Sequence, residues 1–224
     1  MKNLVLSITL VFTLLLQAQE PVTKTVGEFS TLKVYDLISV ELFQSKENKV
    51  EILGKNAEDV VVINKNGTLK IRMKIKKSFD GSNTEVKLYL TSVDIIDANE
   101  GSYISSQDIF KQYELDLRTQ EGGHIKLNIN TKINEVRSDS GGIVELTGES
   151  RNQNINISTG GSYKGKTVAS ESTKVATRAG GVVEVQAKKL LDIIIRAGGD
   201  VFIYNKPEEV KESKTLGGRI KYVE

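Results

Sequence analysis

From residue 100 onward, apolar and polar positions alternate with a period of two, and glycine pairs interrupt the alternation at regular intervals. Six Gly-Gly pairs end at Gly123, Gly142, Gly161, Gly181, Gly199 and Gly218, spaced by 19, 19, 20, 18 and 19 residues. Gly101, 22 residues before Gly123, reads as a seventh, degenerate copy. A fixed period of this length marks a repeat architecture. Taking the second glycine as position zero, position −6 carries Leu117, Val136, Ile155, Val175 and Ile193, and position −4 carries Thr119, Ser138, Ile157, Thr177 and Ile195. Position +2 carries Ile125, Val144, Tyr163, Val183, Val201 and Ile220, and position +4 is also mostly apolar. Position +3 between them reads Lys126, Glu145, Lys164, Glu184, Phe202 and Lys221. Alternation in phase on both sides of each pair predicts two short strands joined at a glycine bend.

One geometry satisfies the pattern: a single-stranded parallel β-helix, all-β, with about 19 residues per coil. Stacking coils at the strand spacing of about 4.8 Å turns each position into a ladder. The even positions then face the core, and position +3 becomes a surface column in which Lys and Glu alternate, opposite charges meeting between neighbours. The bend glycines are expected to supply positive φ. Position −2 (Glu121, Ser140, Thr159, Ala179, Ala197) is expected to face inward beside the bend, which would explain its small side chains and leave Glu121 in need of a hydrogen-bond partner such as Ser140 or Asn99.

Residues 27–97 are strand-rich but less regular. Phe29-Ser-Thr-Leu-Lys-Val34, Ile38-Ser-Val-Glu-Leu-Phe-Gln44, Val50-Glu-Ile-Leu-Gly54 and Glu85-Val-Lys-Leu-Tyr-Leu90 predict strands, and Asn66-Gly67 between two apolar runs predicts a hairpin. Residues 76–83 form a polar loop. The region is expected to supply the cap and first broad coils of one body spanning 19–224, with the regular coils over 98–224. The last strand stops at the C-terminus without a capping helix. An open solenoid end exposes unpaired backbone groups, so a folded-over loop or an end-to-end homodimer is expected there.

The first residues read as an address. Lys2 precedes an uncharged run over residues 4–16, followed by Gln17-Ala18-Gln19. Thirteen residues rise about 20 Å as a helix, short of the roughly 30 Å hydrocarbon core of a bilayer, so the segment predicts a signal peptide, residues 1–18, and an exported chain with no membrane span after cleavage. The chain contains no cysteine and one histidine, which excludes disulfides, thiolate metal sites, a cysteine nucleophile and a multi-histidine centre. The 31 Lys and Arg against 29 Asp and Glu leave a net charge of +2. A near-neutral exported chain without a basic, aromatic-interleaved stripe does not predict nucleic-acid binding. The Gly-Gly pairs lie between strands, so no phosphate-binding loop opens a helix.

The residues quoted above resemble the head GIN domain family, described as putative auto-transporter adhesins. The resemblance rests on Phe29-x-x-Leu32-x-Val34, Ile38-Ser-Val-Glu-Leu42, Asn66-Gly-Thr-Leu-Lys-Ile71, Ala98-Asn-Glu-Gly-Ser102 and the Gly-Gly coils, such as Ser138-Asp-Ser-Gly-Gly142 and Arg196-Ala-Gly-Gly199. It implies a right-handed parallel β-helix and a binding or adhesion role at the cell envelope, with no functional residue to carry over.

Chemistry is sparse. Glu121, His124 and Ser140 come close if the coils stack, but alternation turns His124 outward while the other two face in, so a catalytic triad is not predicted. Asp94, Asp97, Glu100 and Asp108 form a loose acidic group that could hold calcium, but solvated turns and edge charges explain it better. No cofactor or metal is called for. The alternatives to a binding module are a polysaccharide-active enzyme on the β-helix groove and a self-assembling structural protein. The best binding candidates are Arg118 and Arg137 at position −5 and Arg178 and Arg196 at position −3, on one face, where guanidinium groups can grip the carboxylates of an acidic glycan or cell-surface protein.

Overall fold

The computed structural model describes residues 21–223; the predicted signal peptide lies outside the described residues. The first eight strands are β1 (Val22–Thr25), β2 (Thr31–Val34), β3 (Ser39–Gln44), β4 (Lys49–Gly54), β5 (Val60–Lys65), β6 (Thr68–Met73), β7 (Thr84–Leu90) and β8 (Ile95–Ala98). Three long strands follow, β9 (Tyr103–Thr119), β10 (His124–Ser138) and β11 (Ile143–Ser158). The chain closes with β12 (Ser162–Ala169), β13 (Ser172–Arg178), β14 (Val182–Val185), β15 (Leu190–Arg196), β16 (Asp200–Ile203), β17 (Glu209–Thr215) and β18 (Arg219–Tyr222). Strands make up 65% of the described residues and stack as a β-solenoid of about seven turns, about 19 residues apart. Among the described residues no helix is long and apolar enough to cross a membrane.

The columns read from the sequence are the ladders of the solenoid. Leu117, Val136, Ile155, Val175 and Ile193 pair in register from coil to coil, as do Ile125, Val144, Tyr163, Val183, Val201 and Ile220. Leu117 through Ile193 and Ile125 through Val201 are buried. On the outside Lys126, Glu145, Lys164 and Glu184 stack in register, and Lys126 Nζ lies 2.8 Å from Glu145. The spacings longer than 19 residues fall at bulges. Between Tyr163 and the next ladder the chain carries an extra residue, where a side chain on Gly165 would strike the Tyr163 ring. Tyr103 pairs with His124, so Gly101 aligns with Gly122 and Ser102 takes position zero, with the added residues bulging after Ser105.

The N-terminal part stacks out of chain order. β2 and β3 lie between the coil made by β6 and β7 and the coil opened by β8 and β9. β5 folds back antiparallel on β6 through Asn66 (φ 52°) and Gly67 (φ 71°), the predicted hairpin, and β1 and β4 add antiparallel to β7's side.

The bend differs from the sequence expectation in its mechanism. Position −2 is not inward: Glu121, Ser140, Thr159, Ala179 and Ala197 are exposed. With the glycine after it, this residue forms the centre of a tight turn, both at positive φ: Glu121 51° and Gly122 75°, Ser140 48° and Gly141 75°, Thr159 46° and Gly160 76°. The Gly123, Gly142 and Gly161 N–H groups donate back to Gln120, Asp139 and Ser158 at 2.9 Å, which is the type I′ pattern. Position zero in these three coils is therefore not left-handed. It is glycine because it is crowded: a Cβ on Gly142 would lie 2.6 Å from Thr119 Oγ1, and one on Gly123 or Gly161 would strike the carbonyl of Ala98 or Ser138. Gly181, Gly199 and Gly218, at φ 116°, 121° and 98°, do fulfil the positive-φ expectation.

Candidate functional site

Outward positions of the strands preceding the turns form one sheet face, and register fixes what meets on it. Position −3 runs Asp139, Ser158, Arg178, Arg196; position −5 runs Arg137, Asn156, Ala176, Ile194; Lys174 lies on the next outward column. These residues surround a single surface depression of about 420 Å³, with Ala176 and Ile194 supplying its apolar part. The small side chain of Ala176 makes the hollow, because its column neighbours Asn156 and Ile194 are larger. Arg137, Lys174, Arg178 and Arg196 are exposed around it.

The four arginines do not share one fate. Arg118 is held in a two-point pair with Asp116, Nε at 3.1 Å and Nη2 at 2.6 Å, and lies outside the depression. Hydrogen bonding to Asp116 raises the Arg118 pKa further. Arg137 reaches the same carboxylate at 3.1 Å while lining the depression. Among the described residues, Arg178, Arg196 and Lys174 form no ion pair. Exposed guanidinium and ammonium groups without an internal carboxylate are available to an external one. The lone carboxylate at the rim is Asp139. Burial works to raise its pKa, but hydrogen bonds from Ser140, Ser158 and Thr159 outweigh it and hold the group below the usual range. Lys174, Asn156 and Ala176 were legible as outward positions, but nothing in their own columns singled them out.

The other sequence candidates disperse. Glu121 and Ser140 sit in the exposed turns, and Ser140 donates to Asp139 at 3.1 Å. Asn99, considered as a partner for Glu121, instead accepts from Gln120. His124 is half-buried on the other side of the turn, edge-on to Tyr103 with ring centroids 5.0 Å apart. Burial lowers its pKa and leaves it neutral near pH 7, so its 3.8 Å approach to Glu145 is not an ion pair under those conditions. Among the described residues no hydrogen bond joins His124 to Glu121 or Ser140. In the acidic group, Asp97 pairs with Lys33 at 2.9 Å and Asp108 accepts the Gln44 N–H at 2.8 Å. Among the described residues no three metal-ligating side chains cluster.

Comparisons with known proteins agree with this architecture. A putative adhesin from Bacteroides fragilis superposes with a TM-score of 0.82 at 18% identity, covering 92% of this chain and 98% of that one. A putative adhesin from Parabacteroides distasonis gives 0.71 at 18% identity over 91% and 96%. A putative lipid binding protein from the same organism gives 0.65 at 17% identity over 92% and 98%. At these identities the likeness is one of fold. No curated protein matches the chain. The family model for the putative auto-transporter adhesin, head GIN domain, matches residues 28–207, and the chain belongs to that family.

Proposed function

We propose that this protein is an exported, non-catalytic binding module of the cell envelope, and that the depression ringed by Arg137, Lys174, Arg178 and Arg196 takes the carboxylates of an acidic glycan. The observation that carries the reading is that Lys174, Arg178 and Arg196, which form no ion pair among the described residues, stand with the Asp116-paired Arg137 around one hollow with an apolar floor. Guanidinium groups bind carboxylates in a planar, two-point manner, and the Ala176–Ile194 floor offers contact to the apolar face of a sugar ring. Adhesin relatives of the same fold are consistent with a binding role. Glycoside hydrolysis needs two carboxyl groups flanking the scissile bond, and this depression has Asp139 alone.

The test is one incubation of the chain from residue 19 with uronic-acid, sulfated and neutral polysaccharides, reading retained protein and released reducing ends from the same wells. Binding to the uronic-acid polymers without product is the expected result. Arg178→Ala with Arg196→Ala should weaken it about tenfold or more, while stability stays within about 1 kcal/mol because both side chains are exposed. Binding indifferent to the double substitution removes this face from the site, and product release overturns the non-catalytic reading.

A further inference from the structure

A second surface, at the opposite end of the solenoid, carries a different chemistry. β5 is an edge strand, whose one strand partner among the described residues is β6. Across this hairpin Val61 faces Arg72 and Ile63 faces Lys70, so one outward face alternates apolar and cationic groups. The chain leaving β6 extends that face. Val61, Arg72, Lys74, Ile75, Lys76 and Lys77 line one shallow hollow together with a single carboxylate, Asp59. Ile75 is 81% exposed and Phe79, four residues on, is 60% exposed. Lys74 pairs with Asp59 and Lys77 with Asp80, while Lys70, Arg72 and Lys76 form no ion pair among the described residues.

The loop is built, not slack. The buried Asp36 carboxylate accepts the Met73 N–H at 2.9 Å and the Phe79 N–H at 3.0 Å, clamping both ends. Ser78 Oγ donates to the Ile75 carbonyl at 3.0 Å, and Asn56 Nδ2 to the Asp80 carbonyl at 2.8 Å. Phe79 is held at φ 62°, a conformation a bulky residue adopts only where its surroundings impose it. The framework thus holds an aromatic ring out in water on strained backbone, two residues beyond the Lys76-Lys77 pair.

We propose that this end of the molecule docks onto an anionic lipid bilayer. Ile75 and Phe79 enter the boundary between headgroups and acyl chains, and Lys70, Arg72 and Lys76 meet the lipid phosphates. Apolar tips flanked by cations suit that boundary, where the tips lose contact with water and the cations stay in the headgroup layer. A fluid bilayer favours this site over a protein partner, because protruding tips need no complementary pocket to be buried. The inference is independent of the arginine depression.

The chain contains no tryptophan, so a single introduced one is a clean reporter. Phe79→Trp and, as a distant exposed control, Tyr113→Trp are made in the chain from residue 19, which lacks the apolar leader. Each is mixed with vesicles of phosphatidylcholine alone and of phosphatidylcholine with phosphatidylglycerol, and fluorescence and co-sedimentation are read. Expected are a blue shift for Phe79→Trp only, sedimentation with the anionic vesicles only, and about tenfold or greater loss of sedimentation in Ile75→Asp with Phe79→Gly. That variant should melt as the parent does, since it changes exposed side chains and relieves the φ at residue 79. No sedimentation, sedimentation equal on neutral vesicles, sedimentation unchanged in the double variant, or no blue shift at residue 79 each overturns the proposal.

Discussion

Gly141 and Gly142 are neighbours and identical, yet each is required for a different reason. Gly141 sits at φ 75° with open space around it, whereas Gly142 has no left-handed φ and no room. Alanine at 141 meets only the left-handed penalty of about 1–2 kcal/mol. Alanine at 142 drives a Cβ to within 2.6–2.8 Å of Thr119, including its backbone carbon, so the coil below must shift. Overpacking of this kind costs about 1–3 kcal/mol or more. Thermal unfolding should rank Gly142→Ala below Gly141→Ala, and Ala197→Gly above the parent, because Ala197 already occupies φ 57°. The opposite ranking of the two glycine variants removes the crowding argument.

Several coils also place inward hydroxyl and amide groups where a strand pair alone leaves polar atoms unserved. Thr119 Oγ1 donates to Ser138 Oγ at 2.9 Å, and Ser138 passes its own proton to the Gly142 carbonyl at 2.7 Å, so the polar members of position −4 serve the turn backbone. At the second corner, Tyr163 donates to Gln153 Oε1, and Gln153 Nε2 reaches Thr173 Oγ1 at 3.3 Å. Tyr163 is fully buried, which raises its pKa and keeps the phenol a donor. Tyr163→Phe leaves Gln153 Oε1 without its donor and should cost about 1–3 kcal/mol. Directly beside Gln153 in the ladder, Asn134 is fully buried with neither amide atom hydrogen-bonded. Asn134→Leu, which continues Leu115 of the preceding coil, should raise the melting temperature. Denaturant midpoints for the two variants should therefore move in opposite directions, and a loss of stability in both contradicts this account of the column.

For the molecule as a whole, the ends decide whether it stays single. The inward columns that read Leu, Val and Ile through the body finish in charges: Glu212 pairs with Ile193 and Lys214 with Ile195, and both are exposed. A second copy stacked on this end would bury both groups, which is the inward-charge device that edge strands use against pairing. These two charges argue against stacking through this end, and light scattering tests it: a mass that does not rise with concentration through this surface is the expected result. Glu212→Val with Lys214→Ile should turn the same end into an adhesive edge, with mass rising with concentration. A parent protein that already dimerises through this end sinks the argument.

How much of this was legible beforehand follows from the range of the interactions involved. Strand alternation, the 19-residue ladders and the Asn66-Gly67 hairpin were readable because side-chain direction has a period of two and a solenoid repeats each environment at constant spacing. The arginine columns were readable as outward for the same reason. Other features depend on neighbours a coil or more away. Ala176 hollows the basic face only because Arg137, Arg178 and Arg196 are stacked around it, while Asp116 withdraws Arg118. The turn at Glu121, Ser140 and Thr159 reverses the side-chain direction that simple alternation assigns, since two left-handed residues in succession break the period. The N-terminal coils stack out of chain order, a pairing that antiparallel insertions settle and local pattern does not encode. Composition and periodicity thus established the solenoid and its outward faces, and only packing between coils decided which charges stand free on them.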